Sequence, residues 1–274
     1  MDKRKFFPGI AALGLALTLA FGAHWTSALA TDITCTGQID SKNPDATTCS
    51  GTKHADTITG SALRDNVVAG AGDDVVHGGD GMDFPQGGKG DDTLYGEANN
   101  DWLIGEGGAD HSFGGDGSDV VYDNEYHQEV SDELRGENGD DWVEGGGGDD
   151  TVDGGPGNDQ VYGGAGDDHL VGGDGSDLLE PDQGRDTIDA GAGDDYIDAV
   201  EDVNAGANLP DTITCGDGDD EVLANDNDNV AADCEHVTRV EDATSTVSAK
   251  QQKAAPTGRA KARAQFWAQH RSDR

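Results

Sequence analysis

The sequence predicts an all-β protein: a right-handed parallel β-solenoid with two nine-residue repeats per turn and ends clasped by disulfides. Three observations carry that expectation. Aspartates recur every nine residues, an aliphatic residue stands two places after nearly all of them, and 43 of the 274 residues are glycine, over twice the usual share of about 7 %. Composition alone points elsewhere, because 56 acids against 17 bases give a net charge of −39, and high charge with little apolar content is the mark of disorder. A plain acidic disordered chain has no use for periodic glycine, so the period decides.

The chain opens with Lys3-Arg4-Lys5, an apolar run from Ile10 to Gly22 and Ala28-Leu29-Ala30. This reads as a secretory signal peptide over 1–30, with the mature chain starting at Thr31 and a secreted, extracellular destination. The apolar run is too short to span a bilayer, and no cysteine stands at the cleavage point to carry a lipid. Residues 31–50 read as an N-terminal cap. The four cysteines, Cys35, Cys49, Cys215 and Cys234, lie two near each end of the acidic body. Of the three possible pairings, Cys35–Cys49 and Cys215–Cys234 are favoured, since each closes a short loop at one end and export implies an oxidising compartment. The rival, a tetrahedral metal site, lacks any C-x-x-C.

The repeat itself begins near residue 51. Gly87-Gly88-Lys89-Gly90-Asp91-Asp92-Thr93-Leu94-Tyr95 returns as Gly114-Gly115-Asp116-Gly117-Ser118-Asp119-Val120-Val121-Tyr122, and further copies run from Gly145 to Glu180. The sixth-position aspartate marks the phase: Asp56, Asp65, Asp74, Asp83, Asp92, Asp101, Asp110 and Asp119, then Asp132, Asp141, Asp150, Asp159, Asp168, Asp177, Asp186 and Asp195, with Asp211 and Asp220 after a second slip. Two places on stand Ile58, Val67, Val76, Leu94, Leu103, Val121, Leu134, Val143, Val152, Val161, Leu170, Leu179, Ile188 and Ile197. One apolar side chain per nine residues supports neither an amphipathic helix nor a two-faced sheet. It suits a strand of about three residues whose central side chain points inward. The glycines make the intervening turn. Turn and strand alternate into a flattened coil, each layer adding about 4.8 Å, and right-handed crossing is the rule for parallel strands.

The unit G-G-x-G-x-D-x-U-x resembles the calcium-binding nonapeptide of RTX (repeats-in-toxin) proteins, which forms a parallel β-roll. The likeness covers about 51–199 and more loosely 200–238, and the copies marked by Asp92, Asp119, Asp150, Asp159, Asp168 and Asp177 fit in full. It implies that the aspartate carboxylate and the glycine-turn carbonyls hold Ca²⁺ between stacked loops. That role falls on Asp74, Asp83, Asp92, Asp110, Asp119, Asp141, Asp150, Asp159, Asp168, Asp177, Asp186, Asp195 and Asp220. Hard oxygen donors without thiolates or regular histidine favour Ca²⁺ over zinc or copper independently of the likeness. The turns before Asp56, Asp65 and Asp101 lack the second glycine, which puts calcium there in doubt. Pro85, which cannot donate to a ladder, and Ser112 take inward positions and mark the weakest layers of the first block. The fifth-position acids Asp91, Asp149 and Asp167 read either as charge behind the site or as solvated carboxylates.

Residues 31–238 hold 52 of the acids and only six of the bases. Such a field draws calcium ions and excludes nucleic acid as a partner of the body. The first slip, about 123–131, carries Glu125, His127 and Glu129 in alternation and reads as a loop insertion; a second loop falls around 200–209. Residues 200–238 read as degenerate repeats with a C-terminal cap. Trp102 and Trp142 sit outward, covering glycine-rich backbone or meeting a partner. Residues 239–274 are basic, with Lys250, Lys253, Arg259, Lys261, Arg263 and Arg271 and, near the end, Phe266-Trp267. They read as a disordered tail or weak helix able to dock on the acidic body or hold an anionic cell-surface polymer.

No H-E-x-x-H or G-x-S-x-G stands in the chain, and little room remains outside the repeats. The expected function is that of a secreted, monomeric, non-enzymatic protein that folds on binding several Ca²⁺ ions. The alternatives are a surface adhesion or matrix module with the roll as a rod, and the remnant of an RTX hydrolase or toxin. The N-terminal signal departs from the C-terminal one usual in that family and argues against a pore-forming toxin.

Overall fold

The computed structural model describes residues 31–35, 39–40, 43–124, 130–201 and 209–240. The expected signal peptide, residues 241–274 of the basic tail, the acids and histidine at 125–129, and 202–208 of the second loop lie outside the described residues. Successive strands alternate between an eleven-stranded and a twelve-stranded sheet. Thr93–Ala98 and His111–Asp116 neighbour each other in the first sheet, and Trp142–Gly147 and Gln160–Ala165 in the second. Pairing is parallel with partners 18 residues apart, as in Val76↔Leu94 and Val161↔Leu179. That separation is two nine-residue repeats, so each turn contributes one rung to each sheet. The exception is the N-terminal antiparallel pair Ile39–Asp40 with Asn43–Ser50.

The insertions leave the register intact. Ser112 pairs with Leu134 and Val121 with Val143 across the first, and Ile188 with Ile213 across the second. Extra residues therefore leave at the turns while the strands resume on the same rows. The solenoid continues through Thr212–Asp217 and Glu221–Asn225 to the last strand, His236–Val240. Disulfides Cys35–Cys49 and Cys215–Cys234 close the two ends, with Cα separations of 5.6 and 5.2 Å, which removes the tetrahedral metal alternative.

Most strands run six residues rather than the three that the sequence suggests, because the glycine positions also pair. Gly79↔Glu97 and Gly155↔Gly173 are rungs of the ladder and not parts of a free turn. The core is a column of single side chains, Ile58, Val76, Leu94, Val152, Leu170 and Ile188 from one sheet facing Val67, Leu103, Val143, Val161, Leu179 and Ile197 from the other, all buried. Ser112 is buried in the same column. Pro85 still faces Val67, but on its other side the paired rungs begin only at Gln86↔Ile104, as its missing N–H requires. No helix among the described residues is long and apolar enough to cross a membrane.

Candidate metal centre

Each marker aspartate ends a turn and turns its side chain into the gap between stacked loops, where burial is nearly complete. One carboxylate oxygen has a fixed task. The main-chain N–H of Asp74 donates to Oδ1 of Asp92 at 2.8 Å, Asp92 to Asp110 at 2.8 Å, Asp132 to Asp150 at 2.9 Å and Asp168 to Asp186 at 2.8 Å. A second row does the same along the other sheet, with Asp83 donating to Asp101 at 2.7 Å, Asp141 to Asp159 at 2.8 Å and Asp195 to Asp220 at 2.9 Å. The N–H of Asp211 donates to Oδ1 of Asp228 at 3.1 Å, and that of Asp220 to Glu235 at 3.2 Å. Asp228 and Glu235 thus cap the two rows. Sequence reasoning missed both, because they stand 17 and 15 residues after their donors rather than on the 18-residue step.

The other oxygen is left over. Oδ2 of Asp74, Asp83, Asp92, Asp110, Asp119, Asp141, Asp150, Asp159, Asp168, Asp177, Asp186, Asp195 and Asp220, the residues singled out from the sequence, is buried without a hydrogen-bond partner. Burying an ionised oxygen with nothing opposite it costs several kcal/mol. Glycine makes the space. A Cβ placed on Gly114 would sit 2.6 Å from Oδ2 of Asp119 and 2.6 Å from the carbonyl oxygen of Gly136; one on Gly154 would sit 2.6 Å from Oδ2 of Asp159 and 2.7 Å from the Gly172 carbonyl. A carboxylate oxygen and a main-chain carbonyl from the next turn therefore converge on one corner. A hard divalent cation requires such oxygens, and the residues present fit Ca²⁺.

The electrostatics point the same way. Burial, and beyond it the neighbouring ladder carboxylates, outweigh the single main-chain hydrogen bond and push Asp92 up to about 7 and Asp159, Asp168 and Asp186 up to about 8. Asp101 goes up to about 9 on the same balance. Asp56 departs from the rule: burial raises it, but hydrogen bonds from Thr52 and Thr31 prevail and hold it below the usual carboxylate range.

The doubtful turns separate into two kinds. At Asp56 the Thr52 N–H donates to Oδ2 at 2.6 Å, and at Asp65 the Ser61 N–H donates to Oδ2 at 2.6 Å with its hydroxyl at 3.0 Å. Protein donors occupy the oxygen that elsewhere is left over. Asp101 keeps its unpartnered Oδ2, because Glu97 takes the left-handed conformation of the absent glycine, with φ 76°. Asp211, which the sequence reading left out of the site, also has an unpartnered Oδ2. The fifth-position acids are exposed and form their own rows: Asp149 accepts the Asp167 N–H at 2.8 Å and Asp91 accepts the Ala109 N–H at 3.0 Å.

Comparison with curated proteins gives no match. The family model of the RTX calcium-binding nonapeptide repeat (four copies) matches residues 50–85, 86–121, 130–161, 151–179 and 171–201, more than half of the chain and the whole run of strands carrying the ladders up to the second insertion. The chain belongs to the RTX calcium-binding nonapeptide repeat family, which binds Ca²⁺.

Proposed function

We propose that the protein is a secreted, non-enzymatic calcium-binding rod whose solenoid forms as its aspartate ladders take up Ca²⁺. The observation that supports this reading is the row of fifteen marker aspartates with a buried, unpartnered Oδ2. Once ionised, such rows are stable only if something positive stands between the rungs, and a divalent cation bridging the Asp carboxylate to the next turn's glycine carbonyl meets that need. The coupling of binding to folding follows, since the unfolded chain has no preformed corner for the ion. Two disulfides and the leader-like first 30 residues support an extracellular site of action. The absence of any catalytic motif in the sequence supports a non-enzymatic role.

Circular dichroism during a calcium titration, started from chelator, tests it. The expected result is weak strand signal in chelator and a cooperative rise with calcium. Full strand signal in chelator, unchanged by calcium, overturns the proposal.

A further inference from the structure

The outward faces of the two sheets differ. On the eleven-stranded sheet Tyr95 and Phe113 stack with ring centroids 5.2 Å apart, yet both stay only half-buried. On the twelve-stranded sheet the outward residues Trp102, Val120, Trp142 and Tyr162 are 6, 1, 3 and 4 % exposed, with Phe84, Ile104, Tyr122 and Leu178 packed around them. Contact between rings does not account for this, since the same kind of stacking leaves the other sheet open. Nor does the sheet itself, because outward Val68, nearer its N-terminal end, is 45 % exposed. Two outward carboxylates in the same region, Glu144 and Glu180, are also buried, at 5 and 3 %. Buried carboxylates require cationic or N–H partners.

We propose that this face is the docking platform for the chain's own basic C-terminal segment, with Phe266-Trp267 on the aromatic row and its lysines and arginines on Glu144 and Glu180. Charge selects the occupant within the mature chain. The inserted segments 125–129 and 202–208 hold no Lys or Arg, and Lys3, Arg4 and Lys5 leave with the leader on the proposed reading, whereas 241–274 holds seven bases against three acids. Position agrees, because the chain leaves the solenoid at Val240, in the last strand of this same sheet. Trp142 lies five strand spacings away, about 24 Å. Phe266 follows Val240 by 26 residues, which reach about 39 Å even as a helix.

The test uses the calcium-loaded mature chain from Thr31 with Trp267→Phe, so that Trp102 and Trp142 are its only tryptophans. Acrylamide should quench them weakly. Adding Phe266→Ser and replacing Lys250, Lys253, Arg259, Lys261 and Arg263 by Ser should raise the quenching constant at least threefold at unchanged strand dichroism, and a synthetic 241–274 peptide should restore protection. Glu144→Gln with Glu180→Gln should weaken that peptide's binding at least fivefold. Unchanged quenching in the neutralised tail variant overturns the proposal, whether the chain then sediments as a monomer or as a dimer with the face buried against a second copy.

Discussion

The main-chain N–H of Asp141 donates to Oδ1 of Asp159 at 2.8 Å, while Oδ2 of Asp159 is buried with no hydrogen-bond partner. One carboxylate thus splits its work: one oxygen ties two turns together, and the other faces the corner left by Gly154.

That division can be separated by substitution. Asp159→Asn keeps an acceptor for the Asp141 N–H and removes the charge, so it should lower calcium affinity while costing the loaded fold little beyond one site. Asp159→Ala also orphans the N–H and should cost a further 1–2 kcal/mol, about the worth of a buried hydrogen bond to a charged acceptor. Calcium titration together with denaturant unfolding of both variants checks this; equal loss in the two sinks the division of labour.

Acid should substitute for calcium. The ladder aspartates have raised folded-state values, about 7 for Asp92 and about 8 for Asp159 and Asp168, so the cation-free fold holds protons that the unfolded chain releases. That contribution is fully present below the ordinary carboxylate range near pH 4 and is lost as pH rises through about 7–8. In chelator, strand dichroism should therefore grow as pH is lowered from 8 to 5, and calcium added to that acid-held fold at pH 5 in weak buffer should release protons. A chelated chain whose dichroism is flat between pH 5 and 8 contradicts the assignment.

The caps should matter unequally. Asp228 accepts the Asp211 N–H at 3.1 Å through Oδ1 and the Asn225 N–H at 2.6 Å through Oδ2, and is buried. Glu235 accepts the Asp220 N–H at 3.2 Å from an exposed position. Asp228→Ala should cost about 2–3 kcal/mol and Glu235→Ala about 1 kcal/mol or less. Denaturant unfolding of the calcium-loaded protein measures both, and a larger effect at Glu235 reverses the ranking.

The two irregular inward positions offer stabilisation. Ser112→Val replaces a buried hydroxyl in an otherwise aliphatic column, and Pro85→Val restores the N–H missing from the ladder towards Trp102–Gly107. Each should add about 1 kcal/mol, read as a rise in the midpoint of thermal unfolding. No change at either site removes the claim that these layers are the weak ones.

Period and register were legible because the inward side chain and the marker aspartate recur on one beat, so Val76 and Leu94 could be stacked without coordinates. Strand length was not, since glycines at Gly79 and Gly155 read as turn although their backbones still pair with the next layer. By residue type Glu97 argues against a calcium corner at Asp101. Tertiary packing holds that residue at φ 76°, a conformation costing about 1–2 kcal/mol outside glycine. Asp228 and Glu235 are off the beat, and only the parallel pairing of the last strands reveals them. The burial of Trp142 and Glu144 depends on contacts across the face of a sheet, about which a nine-residue period says nothing.

The ladders also run one way. Each marker N–H is satisfied by a carboxylate that comes later in the chain, 18 residues on within the regular blocks. A chain emerging from its N-terminus therefore cannot finish a layer until the following layer has been made, and its growing tip is always open. Only Asp228 and Glu235, placed off the repeat, let the last layers close. The last rungs of the rod thus depend on two acids that the repeat does not supply.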